Sequence, residues 1–343
     1  MMINLISDTV TKPTSEMLHF MMSANVGDDV FKNDESTNAL EEKVAHFFNK
    51  EAALFFPSGT MANQTAIKLH TEPGDQVICD HYSHIYNYEG GGASFNSGVS
   101  CKLIRGDRGK ISAEQVKHAI NPPDFYHSPR TRLVSLENTT NKGGGACYEL
   151  EEIKAIRKVC AKNQLAFHLD GARLWNALVA KNHDPKEYGA EFDTISVCFS
   201  KGLGAPIGSA LLGSKAFIDK ALRIRKILGG GMRQVGYLAN AASFAMDHHF
   251  KRLAIDHRKA KELSEALEAI KWVDSVEPTE TNIVIFNIDT SDFSADQIIS
   301  EFNTHRIELI AMDSAKLRFV THLDYSDEDH SHVLGTLKNM ASL

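Results

Sequence analysis

Short apolar runs alternate with amphipathic stretches through the middle of the chain. Between residues 149 and 163 the apolar residues recur at helical spacing, which predicts an amphipathic helix. Strands that alternate with helices are typical of a mostly parallel sheet covered by helices on both faces. The pattern therefore predicts an α/β fold. Apolar runs of strand length occur at 76–79, 132–138, 165–170, 194–200 and 208–213.

The pattern changes after about residue 246. Strand-like runs follow at 283–288, 308–312 and 316–322, and helical stretches lie at 256–271, after Ser294 and after Ser326. Asp329 stands where a capping box places its acidic residue, which supports a helix start at Ser326. This region predicts a smaller α+β domain.

These differences predict three parts of the chain. We expect an N-terminal arm at 1–37, a large domain at 38–246 and a small C-terminal domain at 247–343. The arm is rich in Asp and Thr and only weakly periodic, so we expect it to cover an active site or a neighbouring subunit.

The composition limits the class of protein. The chain has 343 residues, 43% hydrophobic and 24% charged, which is ordinary for a globular protein with a sizeable core. A net charge of -7 with scattered Lys and Arg argues against a nucleic-acid partner. No apolar run reaches the roughly 20 residues that cross a bilayer, and the first residues lack the features of a signal peptide. Five cysteines without a CxxC motif favour a reducing compartment, so we predict a cytoplasmic protein without a membrane partner.

Three Gly-Gly-Gly runs, at 90–92, 143–145 and 229–231, raise the question of nucleotide binding. A Rossmann turn needs GxGxxG, and the nearest sequence, from Gly202 to Gly208, is one residue too long and contains a proline. Neither a P-loop nor an HExxH motif occurs, so we predict no nucleotide site of these types and no metal. We interpret the glycine runs as turns.

Three segments have side chains suited to one cofactor. Ser58, Gly59 and Thr60 precede a helical stretch, and a helix N-terminus with hydroxyl groups suits a phosphate. Asp170 ends an apolar strand, where α/β sheets bind ligands. Lys201 follows another apolar strand, where weak hydration favours the neutral amine that forms an imine. Taken singly, each segment has a purely structural explanation. Residues 58–60 and Asp170 could be helix caps, and Lys201 could be a solvated lysine in a loop.

Together, the three segments indicate pyridoxal 5′-phosphate (PLP). This cofactor needs a lysine for its imine, an acid beside its pyridine nitrogen and an anion site for its phosphate. The separation of Asp170 and Lys201 along the chain suits two strands joined by a helix. We therefore predict a PLP enzyme.

Eight motifs along the chain extend this prediction. They are SDTVTKPT (7–14), VGDDVF (26–31), FPSGTMAN (56–63), SLENTTN (135–141), HLDGARLWNA (168–177), SKGLGAPIGS (200–209), GGGMRQ (229–234) and RFVTHLD (318–324). In this order the chain resembles the low-specificity threonine aldolases, which are fold-type I PLP enzymes related to β-eliminating lyases. The resemblance runs from about residue 3 to about residue 325. It implies a homodimer or homotetramer with active sites at the subunit interface.

The resemblance implies a set of cofactor-binding residues. Lys201 would hold PLP as a Schiff base, Asp170 would pair with the pyridine nitrogen, and His84 would stack on the ring. Without the motifs, His84 would be an ordinary loop histidine. The phosphate and the other cofactor contacts would come from Ser58, Gly59, Thr60, Arg173, Ser200 and Arg233, the last from a neighbouring subunit.

The resemblance also implies substrate-binding residues. Ser7, Arg173 and Arg318 would bind the substrate carboxylate, and Lys226 would lie at the edge of the site. A guanidinium can bind a carboxylate through two hydrogen bonds. Strand alternation alone would equally allow Arg318 to be a solvated side chain.

The predicted reaction is aldol cleavage of β-hydroxy-α-amino acids, such as L-threonine and L-allo-threonine, to glycine and an aldehyde. His127 would lie near the substrate hydroxyl, and His127 or His84 is the candidate base because imidazole changes its charge near neutral pH. β-Elimination from serine- or cysteine-like substrates is the nearest alternative, since it would use the same cofactor residues. A PLP-binding protein without lyase activity is a further alternative, although it would not need Arg173 and Arg318.

Thr140 departs from the resemblance, because many of these aldolases have histidine at this position of the LENTTN segment. The departure concerns the pocket for the substrate side chain. The threo or erythro preference and the substrate size therefore stay open, whereas the cofactor residues are unaffected.

Overall fold

Two larger β-sheets organise the computed structural model of the chain, which describes residues 2–291 and 293–341. Two short 3₁₀ helices lie in the N-terminal segment, at Asp8–Val10 and Asp29–Phe31. The described strands are β1 (Ile3–Asn4), β2 (Ala52–Phe56), β3 (Gln76–Asp80), β4 (Ser100–Ile104), β5 (Thr131–Glu137), β6 (Ala166–Gly171), β7 (Thr194–Cys198), β8 (Ser209–Gly213), β9 (Val273–Val276), β10 (Ile283–Ile288), β11 (Ile307–Glu308), β12 (Ile310–Ala311) and β13 (Lys316–Val320). The described helices are α1 (Ser15–Met22), α2 (Glu35–Phe47), α3 (Gly59–His70), α4 (His84–Asn87), α5 (Gly92–Ser97), α6 (Ala113–Ala119), α7 (Leu150–Lys162), α8 (Leu174–Lys181), α9 (Pro185–Glu191), α10 (Lys215–Ile227), α11 (Gly236–His248), α12 (Leu253–Glu268), α13 (Ala295–Thr304) and α14 (Asp327–Met340).

The larger sheet has the strand order β2-β8-β7-β6-β5-β3-β4 within the described residues. Strands β4, β3, β5, β6 and β7 are parallel, and β8 is antiparallel to both β7 and β2. Helices cover both faces: Leu54 and Phe56 pack in one apolar cluster with α3 and α10, whereas Ala53 and Phe55 pack in another with α2. The predicted α/β class with a mostly parallel sheet is therefore confirmed.

The five strands predicted in the middle of the chain are present as β3, β5, β6, β7 and β8. Nearly all of their residues are buried, which is why their sequences are continuous apolar runs. Strands β2 and β4 were not predicted. β4 lies at the edge of the sheet and exposes Ser100, Lys102 and Leu103, so its sequence contains no apolar run.

The smaller sheet is antiparallel, with the order β12-β13-β10-β9 among the described residues. Helices α12, α13 and α14 contribute to its core, which contains Trp272, Phe286, Phe302 and Phe319. The single strand predicted at 308–312 is divided into β11 and β12. β11 pairs in parallel with β1, so the N-terminal segment joins this part of the molecule.

The helix starts predicted at Ser294 and Ser326 are confirmed, because each serine caps its helix and forms a capping box. Asp329 is the acidic member of the second box. None of the helices in the described part of the chain is long and apolar enough to cross a membrane. The three domain ranges stay a prediction, and their outermost residues, Met1, 342 and 343, lie outside the described residues.

Candidate active site

A pocket of about 320 Å³ lies where strands of the large sheet end. Asp170 stands near the end of β6, and Glu137 is the last residue of β5. The small sheet contributes Ile310 and Arg318, so both sheets line the pocket. The sequence-predicted residues that the structure brings together here are Ser7, His84, Asp170, Arg173, Lys201 and Arg318.

Asp170 is buried and firmly held. Its Oδ2 accepts a hydrogen bond from Asn63 Nδ2 at 2.9 Å, and its Oδ1 accepts one from the Ala172 backbone N–H at 3.1 Å. Asn63 lies on α3 and is itself buried. Sequence reasoning missed Asn63, because a polar residue inside a helix gives no signal of which strand it will face.

His84 begins α4 at the rim of the pocket. Its Nδ1 lies 3.0 Å from Glu89 Oε1, and its backbone N–H donates to Glu137 Oε2 at 2.7 Å. Burial alone would lower the pKa of His84, but the hydrogen bond to Glu89 and the negative charges of Asp170, Glu89 and Glu137 raise it. The charged imidazolium is thus favoured relative to a histidine in water.

Glu137 also lines the pocket, although sequence analysis gave it no role. Its second oxygen, Oε1, accepts a hydrogen bond from the Asn141 backbone N–H at 2.8 Å. Burial and the nearby charge of Asp170 raise the pKa of Glu137 to about 7. This carboxyl group therefore ties the His84 helix to the loop after β5.

Arg173 forms a buried ion pair with Asp8 of the N-terminal segment. Its Nε and Nη2 donate to the two Asp8 oxygens at 2.8 and 2.7 Å. Burial opposes the charge of Asp8, but Arg173 and the more distant Lys201 lower the pKa of Asp8 to about 2. Asn282 adds a hydrogen bond to Asp8 Oδ2 at 3.2 Å. The Nε and Nη2 donors of Arg173, which could bind a substrate carboxylate, are therefore already paired with Asp8.

Arg318 is less completely satisfied. Its Nη1 donates to Asn141 Oδ1 at 2.9 Å and its Nη2 donates to the Ile6 carbonyl at 3.0 Å. Its Nε is buried and has no hydrogen-bond partner among the described residues. Burial and the neighbouring charge of Arg173 lower the pKa of Arg318 to about 10. Two of its five N–H donors have partners among the described residues, so a carboxylate here would accept from free donors and offset the excess positive charge.

Lys201 lies in the turn that follows β7 and Ser200. Its Nζ is 3.6 Å from Cys198 Sγ, and its carbonyl accepts a hydrogen bond from Thr11 Oγ1 at 3.2 Å. Gly59, at the N-terminus of α3, faces the same sulfur: a Cβ at Gly59 would lie 2.7 Å from Cys198 Sγ. The start of α3 and the lysine therefore approach one another around Cys198.

The residues present fit PLP on their chemistry. Lys201 supplies a primary amine, buried Asp170 an acid and His84 an imidazole. Gly59 lets the start of α3 pack closely against Cys198, and Ser58 caps this helix by accepting from Met61 N–H at 3.2 Å. A helix N-terminus suits a phosphate.

The predicted phosphate-binding residues Ser58, Gly59, Thr60 and Ser200 do not line this pocket. Three further predicted residues are also absent from its lining within the same chain. His127 is exposed in a loop and contacts Tyr126, with tilted rings whose centroids are 3.9 Å apart. Arg233 pairs with Asp28 at 2.8 Å, and Lys226 lies near the end of α10. Their predicted roles therefore require a neighbouring subunit and stay predictions.

Thr140 is buried beside the pocket, but its side chain is turned towards another loop. Its Oγ1 donates to the Arg108 carbonyl at 2.8 Å. The neighbouring residues Thr139 and Asn141 line the pocket instead. The departure at Thr140 thus removes a histidine from this region without placing the threonine side chain in the pocket.

His84, Glu89 and Asp170 have ligand atoms within 4.8 Å of one another, which is the spacing of a metal site. The protein already satisfies these atoms, because Asn63 donates to both carboxylates and Gln64 donates to Glu89. Internal hydrogen bonds account for the cluster, and the absence of a metal stays a prediction.

Comparisons with known proteins cover nearly the whole chain. The family described as beta-eliminating lyase matches residues 4–291. Low-specificity L-threonine aldolase 1 of Arabidopsis thaliana is 39% identical over 339 residues, which cover 97% of this chain and 94% of that protein. The low specificity L-threonine aldolase of Escherichia coli (strain K12) is 39% identical over 333 residues, which cover 97% of each chain.

A solved structure of a threonine aldolase from Leishmania major shares the fold. It aligns with a TM-score of 0.85 over 98% of this chain and 99% of that chain, at 21% identity. The resemblance predicted from the eight motifs is confirmed by the sequence relatives. This chain belongs to the β-eliminating lyase family, among the low-specificity L-threonine aldolases.

Proposed function

We propose that this protein is a PLP-dependent aldehyde-lyase that cleaves β-hydroxy-α-amino acids, such as L-threonine and L-allo-threonine, to glycine and an aldehyde. One observation carries the proposal: a single pocket contains Lys201, Asp170 and the incompletely satisfied guanidinium of Arg318. These groups suit the PLP aldehyde, the PLP ring nitrogen and an amino-acid carboxylate, respectively. A protein that only carried PLP would not need the third group.

The cofactor side of the pocket uses Lys201 for covalent attachment and Asp170 as the partner of the ring nitrogen. When bound, PLP supplies an electron sink for a bond that breaks at the substrate Cα. Asp170 keeps its position through Asn63 and Ala172, so its carboxylate is held in place where it would pair with the ring nitrogen. The phosphate would be held at the start of α3 by Ser58, Gly59, Thr60 and Ser200, with Arg233 from a neighbouring subunit.

The substrate side of the pocket orients the amino acid. Arg318 binds the substrate carboxylate with Ser7 beside it, because both line the pocket and Arg318 Nε has no protein partner among the described residues. Arg173 adds positive charge to the pocket, although its own guanidinium is paired with Asp8. Fixing the carboxylate decides which Cα bond is aligned for cleavage, which is catalysis by orientation.

His84 is the base that we favour for the β-hydroxyl proton. It lines the pocket, whereas His127 lies in an exposed loop of the same chain. Nδ1–H of His84 donates to Glu89, so Nε2 carries the lone pair in the neutral ring and can accept a proton. His127 retains a role only if a neighbouring subunit supplies it.

The test is aldehyde release from L-threonine and from L-allo-threonine by the PLP-loaded protein. We expect aldehyde and glycine in equal amounts, with turnover lost in Lys201→Ala and retained in Lys215→Ala, a matched variant at an exposed lysine. The ratio of the two rates reports the threo or erythro preference. Aldehyde formation by Lys201→Ala at the wild-type rate would contradict the proposal.

β-Elimination is the second candidate, because the matched family is described as beta-eliminating lyase. It would release pyruvate and ammonia from serine- or cysteine-like substrates at the same lysine. Pyruvate without aldehyde in the assay above would favour elimination over aldol cleavage.

We also propose a homodimer or homotetramer whose subunits share active sites. Phe31 and Ile227 are 70% and 68% exposed, and the Asp29–Arg225 ion pair brings their segments together. Lys226 lies beside this apolar surface, where it could reach a neighbouring pocket. Light scattering should give a dimer or tetramer that Phe31→Asp weakens and Ile255→Asp, on α12, leaves intact. A monomeric wild-type protein would contradict the proposal.

A cytoplasmic location also belongs to this proposal. It is supported by the five cysteines, all of which are free. Fractionation of cells that express the native gene would test it, and recovery of the protein outside the cytoplasm would contradict it.

A further inference from the structure

The amide of Asn63 uses all of its hydrogen-bonding capacity inside the protein. Nδ2 donates to Asp170 Oδ2 and to Glu89 Oε1, both at 2.9 Å. Oδ1 accepts from Ser196 Oγ at 2.6 Å and from His168 Nε2 at 3.2 Å. An amide has two donor hydrogens and two acceptor lone pairs, so nothing remains for solvent or ligand.

A chain of neutral groups fixes the direction of this amide. Because His168 Nε2–H donates to Asn63, His168 Nδ1 must accept, and Thr194 Oγ1 is the donor at 2.9 Å. Thr194 Oγ1 in turn accepts from His70 Nε2 at 2.9 Å. One assignment of protons therefore satisfies every contact from His70 to Asn63.

Burial keeps both histidines of this chain uncharged. It lowers the pKa of His168 to about 3 and the pKa of His70 to about 4. The donors consequently point the same way throughout the neutral pH range. Thr194 begins β7 and Ser196 lies within it, so the chain follows the large sheet towards the pocket.

The two carboxylates that accept from Asn63, those of Asp170 and Glu89, each act on one side of the cofactor ring in the proposed function. Asp170 is the partner of the ring nitrogen, and Glu89 holds Nδ1 of His84 at 3.0 Å. The same amide therefore holds the groups assigned to the edge and the face of the ring. Asn63 has no contact with the pocket itself, because it does not line it.

We infer that Asn63 is a positioning residue that holds Asp170 and the Glu89–His84 pair in a common arrangement for the cofactor ring. This inference rests on the proposed function. It predicts that changing the Asn63 amide alters the protonation of bound PLP and its affinity, even where folding is preserved.

Gln64 offers a matched comparison on the same helix. Its Nε2 donates to Glu89 Oε2 at 2.6 Å, and its Oε1 accepts from Asn96 at 3.2 Å. Gln64 therefore touches one of the two carboxylates that Asn63 joins. Asn63→Asp and Gln64→Glu are both isosteric and both add one negative charge, but only Asn63→Asp places that charge against Asp170.

The experiment titrates the visible absorbance of bound PLP against pH in both variants and in the wild type. We expect Asn63→Asp to move the midpoint upward by about one pH unit or more, because an added negative charge favours the protonated cofactor. Gln64→Glu should move it by less than half as much. The dissociation constant of PLP should rise about 10- to 100-fold in Asn63→Asp, by analogy with the effect on metal affinity of changing a residue that orients a metal ligand.

A second variant provides a test in case Asn63→Asp does not fold. Ser196→Ala keeps Asn63 and removes one of the two donors that orient its amide. We expect a smaller change in the midpoint and in PLP affinity, with thermal unfolding of the PLP-free protein close to that of the wild type. If Asn63→Asp folds, equal midpoints in Asn63→Asp and Gln64→Glu would overturn the inference. If it does not fold, an unchanged midpoint and affinity in Ser196→Ala would do so.

The absorbance titration needs no turnover. A wild type that binds PLP but releases no aldehyde would refute the proposed reaction, while a shifted midpoint in Asn63→Asp would still support the positioning role. Aldehyde release together with an unmoved midpoint in Asn63→Asp would refute the positioning role alone.

Discussion

The two sides of the pocket are built on different principles. Around Asp170, neutral donors from α3 and β7 satisfy the buried groups, and the Asn63 amide has no capacity left. Arg318 lies on the small sheet, and its charged guanidinium donates to the N-terminal segment and to the loop after β5. Here Arg318 Nε has no partner among the described residues.

This difference indicates a preformed cofactor side and a substrate side that the ligand completes. A hydrogen-bond network whose donors and acceptors are all used keeps its geometry without a ligand. Two buried guanidiniums, Arg173 and Arg318, face the single carboxylate of Asp8 in this cluster, and the lowered pKa of Arg318 reflects its burial and the charge of Arg173. A substrate carboxylate would restore the balance.

On the charged side of the pocket, Asp8→Asn should destabilise the protein strongly because it leaves Arg173 unpaired. Removing one partner of a buried ion pair costs about 3–5 kcal/mol of unfolding free energy. Chemical denaturation at pH 7 measures this change. The matched variant Asp28→Asn, whose pair with exposed Arg233 lies at the surface, should change stability little.

The same pair has a defined pH dependence. Because the pKa of Asp8 is lowered from 3.8 to about 2, its contribution is present above about pH 4 and is lost as the pH falls through 2. The stability difference between wild type and Asp8→Asn should therefore narrow over this window. A difference that stays constant down to pH 2 would remove Asp8 as the ionised partner.

A change at Arg318 should affect substrate binding separately from cofactor binding. Arg318→Met should weaken glycine binding to the PLP-loaded protein by about 10- to 100-fold, since hydrogen bonds to charged groups contribute about 1.5–3 kcal/mol. PLP affinity should stay near the wild-type value, because Asp170 and Asn63 are untouched. Calorimetric titration with glycine measures the change, with Arg132→Met as an exposed control. Unchanged glycine affinity would remove Arg318 from the carboxylate site.

A smaller change is expected from the link between the cofactor side and the proposed base. His84 must be neutral to accept a proton, so the rate should fall as the pH drops through a midpoint above 6.5. Glu89→Gln removes the main group that raises the pKa of His84, and the midpoint should move down by about one pH unit. The pH dependence of kcat tests this. An unmoved midpoint would show that another group is the base.

The fold was largely predictable because the central strands are buried on both faces. Continuous apolar runs at β5, β6 and β7 follow directly from that burial. Edge strand β4 was missed because its exposed residues interrupt the pattern, and the 308–312 run was divided because β11 pairs with β1 at the other end of the chain. Pairing between segments far apart in the chain produces no periodic pattern in the local sequence.

The site was predictable where residue type and chain position carried the chemistry. Asp170 lies near the end of one apolar strand and Lys201 follows another, and their motifs identified them. Asn63 and Glu89 were missed because their roles depend on which groups α3 and α4 bring together. Asp8 lies in a quoted motif, yet its pairing with Arg173, 165 positions away, has no signature in either segment.

Local apolar patterns and motifs are properties of neighbouring residues. They were therefore enough to predict the fold class, the family, and the lysine and acid that the cofactor chemistry requires. Which charges are compensated depends instead on the tertiary structure. It brought Asp8 to Arg173 and left Arg318 with an unsatisfied N–H among the described residues. It also aligned the donors of Asn63 with two carboxylates. Desolvation and hydrogen bonding depend on distances between segments far apart in the chain, and folding sets those distances.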